Sequence, residues 1–172
     1  VKSALLESRI PATLRDPGGE WFGFSSRARV IVYSKARVKA ADVPSYESLA
    51  AAANKGRVCV RSGSHPYNLS LVAAMIEHLG EPKAEAWARG MVANFARAPK
   101  GGDTDQIKAV AAGECDVALS NSYYYARLLR SAKVEDREVV AKAGIVWPDQ
   151  AGVGTHVNIS GAGVLKNAPH RD

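Results

Sequence analysis

Three consecutive tyrosines, Tyr123, Tyr124 and Tyr125, are the residues of this sequence whose type and spacing could most directly carry chemistry. They follow the apolar run 117–119, which indicates a buried strand, and they open the segment 122–131, which indicates a helix. Ligands of open α/β sheets bind where strands end, so the phenols occupy a typical ligand-binding position. A phenolate is a hard anionic oxygen that suits Fe(III). Because a free tyrosine has a pKa near ~10, the metal's own charge must displace the proton.

A structural role fits the same tyrosines. Tyrosine clusters usually pack their rings against apolar neighbours and leave the hydroxyls in water. Asn121 and Ser122 are both suitable N-cap residues for the helix that follows, so the run also has the features of an ordinary helix start. At this point the residues leave a metal site and simple packing open.

A second helix N-terminus is predicted at the same edge of the sheet. The strand 57–61 is followed by the small-residue loop 62–64, and Pro66 begins the next helix. Helix N-termini attract anions, and small residues let backbone amides approach a ligand. Arg27 or Arg29, on an earlier strand, would complete an anion pocket. Tight α/β turns with good caps would give the same pattern without a ligand.

Strands alternate with helices along the chain, which predicts an α/β fold with a largely parallel sheet. The predicted strands are the second half of 21–33, 57–61, 115–119, 139–140, 144–147 and 155–159. The predicted helices are 2–11, 45–49, 66–79, 83–97, 104–112 and 122–131.

The composition is typical of a globular domain, with 172 residues, 47% hydrophobic and 23% charged. No run of about 18 apolar residues predicts a membrane span. The net charge of +6 names no partner by itself. Since the sequence has no recognition helix, zinc-finger spacing or RNA-binding signature, we expect no nucleic-acid binding.

The two cysteines, Cys59 and Cys115, lie in or at the start of two predicted strands and lack a metal-type spacing. Both fit buried thiols that act as small apolar side chains. If the two strands are neighbours, a disulfide is the alternative, and it would persist only in an oxidising compartment.

Seven segments form an ordered set along the chain: WFG at 21–23, SRARV at 26–30, RSGSHPYNLSL at 61–71, GGDTDQI at 101–107, AGECDVA at 112–118, NSYY at 121–124 and NISGAG at 158–163. Any one of them is a weak signal. In this order the set resembles the periplasmic ferric-iron-binding proteins of bacterial ABC importers. The resemblance covers nearly all 172 residues.

The resemblance implies a type II periplasmic binding protein fold, with helices on both faces of the sheet and iron held between two lobes. It implies that Tyr123 and Tyr124 are paired phenolate ligands of Fe(III) and that Tyr67 is a third. Tyr125 falls where the family usually has an aliphatic residue, which indicates packing. We expect His65 to be a hydrogen-bonding or surface histidine, because histidine suits softer metals than Fe(III).

The family often recruits a synergistic anion, carbonate or phosphate, beside the iron. The positions that match its anion-binding residues are Ser62, Gly63, Ser64, Asn121 and one strand arginine, for which we prefer Arg29 to Arg27. Strand alternation puts both arginines on the same side, so periodicity does not separate them. The resemblance further implies a periplasmic protein that is not an enzyme and that delivers iron to the membrane permease of an ABC importer.

Members of this family are nearly twice as long as this chain. The expected organisation is a tyrosine-bearing second lobe at 34–154, flanked by a partial first-lobe segment with a crossover strand at 1–33 and by a return crossover strand with a further partial segment at 155–172. We expect the two ends to expose apolar side chains, including Leu5, Trp21 and Phe22, which would favour self-association. Such a chain alone is expected to hold iron weakly or as an open half-site.

Three other interpretations remain. A solute-binding lobe for another small anion or organic solute would share the common segment 113–118, but its site would want stacking faces and several carboxylates or amides rather than phenols. A hydrolase could use Ser62, Ser64, His65 and Asp116, yet the pattern Gly-x-Ser-x-Gly is absent. A structural or interaction domain would resemble a partial binding protein in size and association.

Overall fold

The computed structural model describes residues 3–169, which form two compact units. The larger unit is Ala28–His156, and the smaller unit combines the described residues before and after it. The predicted segments 1–33 and 155–172 include residues 1–2 and 170–172, which lie outside the described part of the chain. The two units are groups of residues that contact one another within this chain. The assignment of 1–33, 34–154 and 155–172 to the lobes of a binding protein stays a prediction.

The described residues contain five strands, β1 (Phe22–Ser34), β2 (Val58–Cys59), β3 (Val117–Asn121), β4 (Ala143–Val146) and β5 (Val157–Ala162). Their order is β2-β3-β1-β4, and β5 also pairs with β1. β2 runs parallel to β3, whereas β1 runs antiparallel to both β3 and β4. The sheet is therefore mixed rather than largely parallel, which corrects one part of the predicted fold.

β1 is the strand that pairs antiparallel with β3 and β4, and the connections between the other strands explain why it stands apart. Strands of one sheet that follow each other in the same direction need a crossover of a dozen or more residues, and helices supply it between β2 and β3 and between β3 and β4. These three strands therefore run in one direction. β1 lies between β3 and β4 and opposes them, with Arg29 opposite Asn121 and Ile31 opposite Val146. The alternation of strands and helices in the sequence does not reveal a strand inserted in this way.

Six α-helices occur in residues 3–169: α1 (Ala4–Arg9), α2 (Pro66–Leu79), α3 (Glu81–Ala93), α4 (Asp103–Ala112), α5 (Ser122–Leu129) and α6 (Val134–Lys142). Short 3-10 turns lie at Ala12–Leu14, Ala40–Asp42, Glu47–Ala50 and Ala52–Asn54. The predicted strand at 139–140 is wrong, because these valines belong to α6. Val140 is buried and its neighbours in α6 are mostly charged, so two adjacent valines reflect one buried helix face rather than a strand.

Helices cover both faces of the sheet in the larger unit, as predicted. Successive strand residues point to opposite faces. Ile31, Val117 and Leu119 pack with side chains of α2 and α3. Val32 and Ala118 pack on the other face with side chains of α4, α5 and α6. The core is therefore two apolar layers separated by the sheet.

The two cysteines form a disulfide, Cys59–Cys115. Cys59 ends β2, and Cys115 lies two residues before β3, which is the neighbouring strand. This is the alternative that the sequence left open. Among the described residues no cysteine is free.

In the smaller unit, β5 pairs with the first part of β1, and the backbones of the two strands approach closely at Gly161. A Cβ atom at Gly161 would lie 2.5 Å from the carbonyl oxygen of Phe22, so this position requires glycine. Leu5 and Trp21 are 61% and 40% exposed, as predicted. Phe22 is only 4% exposed, so its predicted exposure is wrong; it borders a small cavity that Leu6 and Phe24 also line. Among residues 3–169, no helix has the length and apolar character needed to cross a membrane.

Candidate metal centre

The three predicted ligand tyrosines lie in the first turns of two helices, α2 and α5. Tyr67 is the second residue of α2, and Tyr123 and Tyr124 are the second and third residues of α5. The hydroxyls of Tyr67 and Tyr123 are 3.3 Å apart, and the rings of Tyr123 and Tyr124 stack with their centroids 4.1 Å apart. Tyr123 and Tyr124 are half-buried. The fold thus brings together phenols from positions far apart in the sequence.

This arrangement raises the pKa of the Tyr123 hydroxyl. Burial raises the pKa of Tyr123, and hydrogen bonds with Tyr124 and Tyr67 raise it further. A phenolate here would lose water, and the hydrogen bonds of the neutral hydroxyl with the neighbouring phenols favour the protonated form. A cation of high charge would lower the pKa of Tyr123, because it stabilises the ionised form directly.

The start of α2 positions Tyr67. His65 is the N-cap residue, and its Nδ1 accepts a hydrogen bond from the backbone N–H of Tyr67 at 3.3 Å. The His65 ring also contacts the Tyr67 ring edge-on, with centroids 4.5 Å apart. Burial lowers the pKa of His65, and the positive charge of Arg61 lowers it further. The expectation that His65 acts through a hydrogen bond therefore agrees with its place as a cap.

A buried ionic cluster of Arg29, Arg61 and Asp103 lies next to the ring of Tyr67. Its centre is Asp103, a residue that the sequence analysis did not select. Asp103, the first residue of α4, is 1% exposed. Its carboxylate accepts hydrogen bonds from Arg29 Nη1 at 2.6 Å and Arg61 Nη1 at 3.2 Å. It also accepts the backbone N–H of Asn121 at 2.7 Å. The only signal for this role is that Asp103 falls within the segment 101–107 that contributes to the family resemblance.

Arg29 is 1% exposed, and protein acceptors surround it. Besides Asp103, it donates to the side-chain oxygens of Asn68 at 2.7 Å and Asn121 at 3.2 Å. Its guanidinium carbon lies 5.9 Å from the centroid of the Tyr67 ring. Burial lowers the pKa of Arg29, although the charge of Asp103 acts in the opposite direction.

Arg29 belongs to the cluster around Asp103 and Arg27 does not, while the preference for Arg29 as the anion-binding residue stays a prediction. Arg27 donates to Ser25 Oγ at 3.2 Å, and it is in the smaller unit. Arg61, which was not among the predicted site residues, joins Arg29 in the cluster, and its guanidinium carbon lies 5.4 Å from the Tyr67 ring centroid.

The loop 62–64 is exposed and largely satisfies its own polar groups. The hydroxyls of Ser62 and Ser64 are 2.8 Å apart, and the Ser64 N–H donates to Ser62 Oγ. Gly63 has open space where a Cβ would stand. Asn68 Nδ2 donates to the carbonyl oxygens of Arg61 and Ser62, which ties the loop to α2.

Three buried nitrogens of the cluster have no hydrogen-bond acceptor among the described residues: Arg29 Nε, Arg61 Nε and Asn121 Nδ2. All three are donors, and a buried donor without a partner costs about 1–3 kcal/mol. Donors without acceptors around an excess of positive charge favour an anion at this place.

Tyr125 has a different environment from its two neighbours. Its hydroxyl donates to the carbonyl oxygen of Ala143 at 3.0 Å, and its ring packs against the core layer of α4, α5 and α6. Burial raises the pKa of its hydroxyl. The expected packing role agrees with this position. Within residues 3–169, no group of three or more His, Cys, Asp or Glu side chains could hold a metal ion.

Residues 4–172 match the family described as bacterial extracellular solute-binding protein, and the chain therefore belongs to that family. It is 53% identical over its whole length to Iron uptake protein A2 of Synechocystis, of which it covers 50%. It is 31% identical to the Fe(3+)-binding periplasmic protein of Serratia marcescens, with 95% of this chain and 47% of that protein covered.

A Trichodesmium protein solved in complex with iron and citrate ligands has the same fold. The TM-score is 0.92 at 56% identity, and the match covers 98% of this chain and 54% of that one. The predicted resemblance to ferric-iron-binding proteins and the type II periplasmic binding protein fold are thus confirmed. The chain spans about half the length of the curated relatives it matches.

Proposed function

We propose that this chain supplies the tyrosine-bearing part of a ferric-iron site in a periplasmic iron-transport protein. The observation that carries the proposal is the 3.3 Å approach of the Tyr67 and Tyr123 hydroxyls, with Tyr124 stacked on Tyr123. Iron is the cargo of this site, and the protein acts by binding it rather than by catalysis.

In this proposal Tyr67, Tyr123 and Tyr124 bind Fe(III) as phenolates. Each proton is released as the metal binds, so three negative charges balance the three positive charges of the ion. The phenols lie at the N-terminal ends of α2 and α5, where the helix dipole favours negative oxygen atoms. The cluster of Arg29, Arg61 and Asp103 has one excess positive charge, and its arginines lie close to the Tyr67 ring. Both features stabilise the ionised ligands.

A synergistic anion, carbonate or phosphate, is the second part of the proposal. We assign it to Arg29, Ser62, Gly63, Ser64 and Asn121. Support comes from the unpaired Nε of Arg29 and Nδ2 of Asn121, and from the exposed loop 62–64. The Trichodesmium protein was solved with both iron and citrate, which supports an oxygen-rich anion beside the metal in this chain.

The relatives support a proposal for the location and the partner of this chain. We infer a periplasmic protein that delivers iron to the permease of an ABC importer, and the disulfide fits an oxidising compartment. Self-association through the exposed Leu5 and Trp21 is part of this proposal.

The test is a visible absorption titration of the chain with ferric citrate at neutral pH. Phenolate-bound iron gives a red-orange charge-transfer band. We expect this band in the parent and in Tyr125→Phe, and not in Tyr123→Phe/Tyr124→Phe. The Tyr125→Phe variant is the matched control, because it removes a phenol from the same helical turn. A double variant that binds Fe(III) as well as the parent would refute the ligand assignment. A band that is absent from the parent and from a chain of the relatives' full length would refute the iron proposal.

A further inference from the structure

A cavity of about 330 Å³ lies between α2 and α3 in the larger unit. Leu71 of α2, Met91 of α3 and Leu119 of β3 line it and are buried. Val92 and Pro99 also line it and are exposed to solvent. The cavity therefore reaches from the surface into the apolar layer that α2 and α3 form on one face of the sheet. None of the three proposed ligand tyrosines belongs to its described lining.

The described lining offers neither a charge nor a free hydrogen-bonding side chain. None of the described residues around the cavity is charged, although 23% of the residues in the chain are. Asn68 is the one amide side chain among them, and the protein uses both of its polar atoms. Its Oδ1 accepts a hydrogen bond from Arg29 Nη2 at 2.7 Å, and its Nδ2 donates to the carbonyl oxygens of Arg61 and Ser62. A polar occupant would therefore lose its hydrogen bonds to water without side-chain partners to replace them.

Two aromatic rings and a thioether give the cavity an aromatic character. Trp87 and Phe95 line it together with Met91. The indole Nε1 of Trp87 donates to the carbonyl oxygen of Tyr46 at 2.8 Å, so this polar atom is also satisfied within the protein. Aromatic rings attract other rings in offset or edge-on arrangements, and a thioether makes favourable contacts with them. These side chains favour an aromatic occupant over an aliphatic one.

The size and place of the cavity favour a ligand site over a packing defect. Protein interiors are close-packed, and voids larger than a water molecule are few. Ligand sites usually have volumes of about 300–1,000 Å³, so 330 Å³ suits a small molecule. The lining includes Val60, which directly follows β2, and Gly63 in the next loop. The cavity thus borders the carboxyl end of a parallel strand, where α/β folds bind ligands.

We propose that this cavity binds a small uncharged aromatic molecule. The proposal goes beyond the iron function and does not depend on it. An uncharged ligand matches a described lining without charges, and an apolar one leaves no polar group without a partner when it loses water. Burial of its surface against Leu71, Trp87 and Met91 supplies the binding free energy.

The experiment is a fluorescence titration of the iron-free chain with N-phenyl-naphthylamine, an uncharged aromatic dye that emits strongly in apolar surroundings. The competitors are naphthalene and naphthalene disulfonate, which share the ring system and differ in charge. We expect saturable emission from the dye, displacement by naphthalene and none by the disulfonate. Absence of saturable emission, or equal displacement by the two competitors, would overturn the proposal.

The location of the dye is tested with two variants that make the same change in α3. Ala88 lines the cavity, whereas Ala86 is exposed and lies outside the described lining. Ala88→Leu fills part of the cavity and is expected to weaken dye binding roughly tenfold, because an overfilled site must displace its neighbours to admit a ligand. Ala86→Leu should leave the affinity unchanged. Equal affinities in the two variants would overturn the proposal.

A second pair of variants tests the site with changes at exposed positions, which are the least disruptive to folding. Val92 lines the cavity and is 63% exposed, and Val134 is 56% exposed and lies outside the described lining. Val92→Asp adds a carboxylate to the wall and should weaken dye binding, because an apolar ligand there would strip water from the charge. Val134→Asp is the control and should bind the dye as the parent does. Far-ultraviolet circular dichroism verifies folding, and equal binding by both variants would overturn the proposal.

The same titration on a chain of the relatives' full length shows whether another part of the protein covers the cavity. We expect the dye to bind there with the affinity measured for the present chain. Loss of binding in the longer chain would overturn the proposal. The phenolate–iron band separates this proposal from the iron function: Ala88→Leu should develop the full band. Dye binding without a band in the parent or the longer chain would support the aromatic site and refute the iron site.

Discussion

The hydroxyl of Tyr67 lies 3.3 Å from the hydroxyl of Tyr123, although 56 residues separate them in the sequence. Each tyrosine occupies the second position of its helix, α2 or α5. The helices follow β2 and β3, which are parallel neighbours, so both begin at the same edge of the sheet. The contact is therefore a product of sheet topology.

Removal of the Tyr67 hydroxyl should weaken iron binding while preserving the ring contacts. Tyr67→Phe keeps the aromatic face near Arg61 and His65 but lacks the phenolate oxygen. We expect the affinity for Fe(III) to fall by more than the roughly 10–100-fold typical of losing a partner of a metal ligand. Competition titration with a chelator measures the affinity, and Tyr125→Phe is the control. Unchanged affinity in Tyr67→Phe would remove it from the ligand set.

Asp103→Asn should strongly destabilise the larger unit. The substitution leaves the buried guanidinium of Arg29 and the partly buried one of Arg61 without their counter-charge. Loss of one partner from a buried ion pair costs about 3–5 kcal/mol. Urea unfolding measures the difference. Glu85→Gln, which breaks the exposed pair with Arg89, is the control and should cost less than about 1 kcal/mol. Similar free energies of unfolding for the two variants would contradict the central role of Asp103.

Reduction of the disulfide should lower the free energy of unfolding. Cys59 and Cys115 are 56 residues apart, and closing a loop of that length stabilises a protein by about 4 kcal/mol through the entropy of the unfolded chain. Urea unfolding with and without dithiothreitol measures the effect, and a thiol assay verifies reduction. The variant Cys59→Ala/Cys115→Ala should be insensitive to dithiothreitol. An oxidised and a reduced chain with the same midpoint would contradict a stabilising bridge.

Acid should remove a contribution to stability from Asp116. Burial raises the pKa of Asp116, but the hydrogen bonds and charges of Arg37 and Arg57 outweigh burial and hold the pKa below its usual range. The carboxylate therefore stabilises the fold above its unfolded-state pKa of ~3.9, and this contribution is lost as the pH falls through the lower folded-state pKa.

The check is Asp116→Asn, followed by urea unfolding from neutral to acidic pH. Because the two arginine side chains are 40% and 35% exposed, we expect a loss of only about 1 kcal/mol at neutral pH. The difference between parent and variant should shrink towards zero in strong acid. A difference that stays constant across the pH range would exclude an ionic origin.

Local signals in the sequence predict some elements closely. The helix 66–79 has its predicted limits, because Pro66 favours a first helical turn and Gly80 has the positive φ that ends it. The helix ending before Gly113 has the same kind of signal, since Gly113 adopts the left-handed conformation. Such positions depend on backbone geometry within a few residues, which the local sequence reports well.

Features that depend on tertiary pairing could not be predicted in the same way. The antiparallel place of β1 follows from strand order, which hydrophobic patterns do not contain. Asp103 was missed because an acidic residue at a helix start is usually an exposed dipole partner, and only the fold shows that two arginines cover it. The tyrosines are recognisable because their chemistry is unusual at a strand-to-helix junction, whereas their mutual distance depends on the sheet.

The parallel pairing of β2 with β3 also has an entropic consequence. Fixing the backbone of one residue costs about 1–2 kcal/mol, and for Tyr67 and Tyr123 this cost is met during folding, since both lie in regular helices. In the proposed ferric site, a metal ion would therefore meet a preorganised pair and lose little affinity to ordering the protein. We expect exchange there to follow the competition between metal and protons for the same oxygens, and so the chemistry of the surrounding solution.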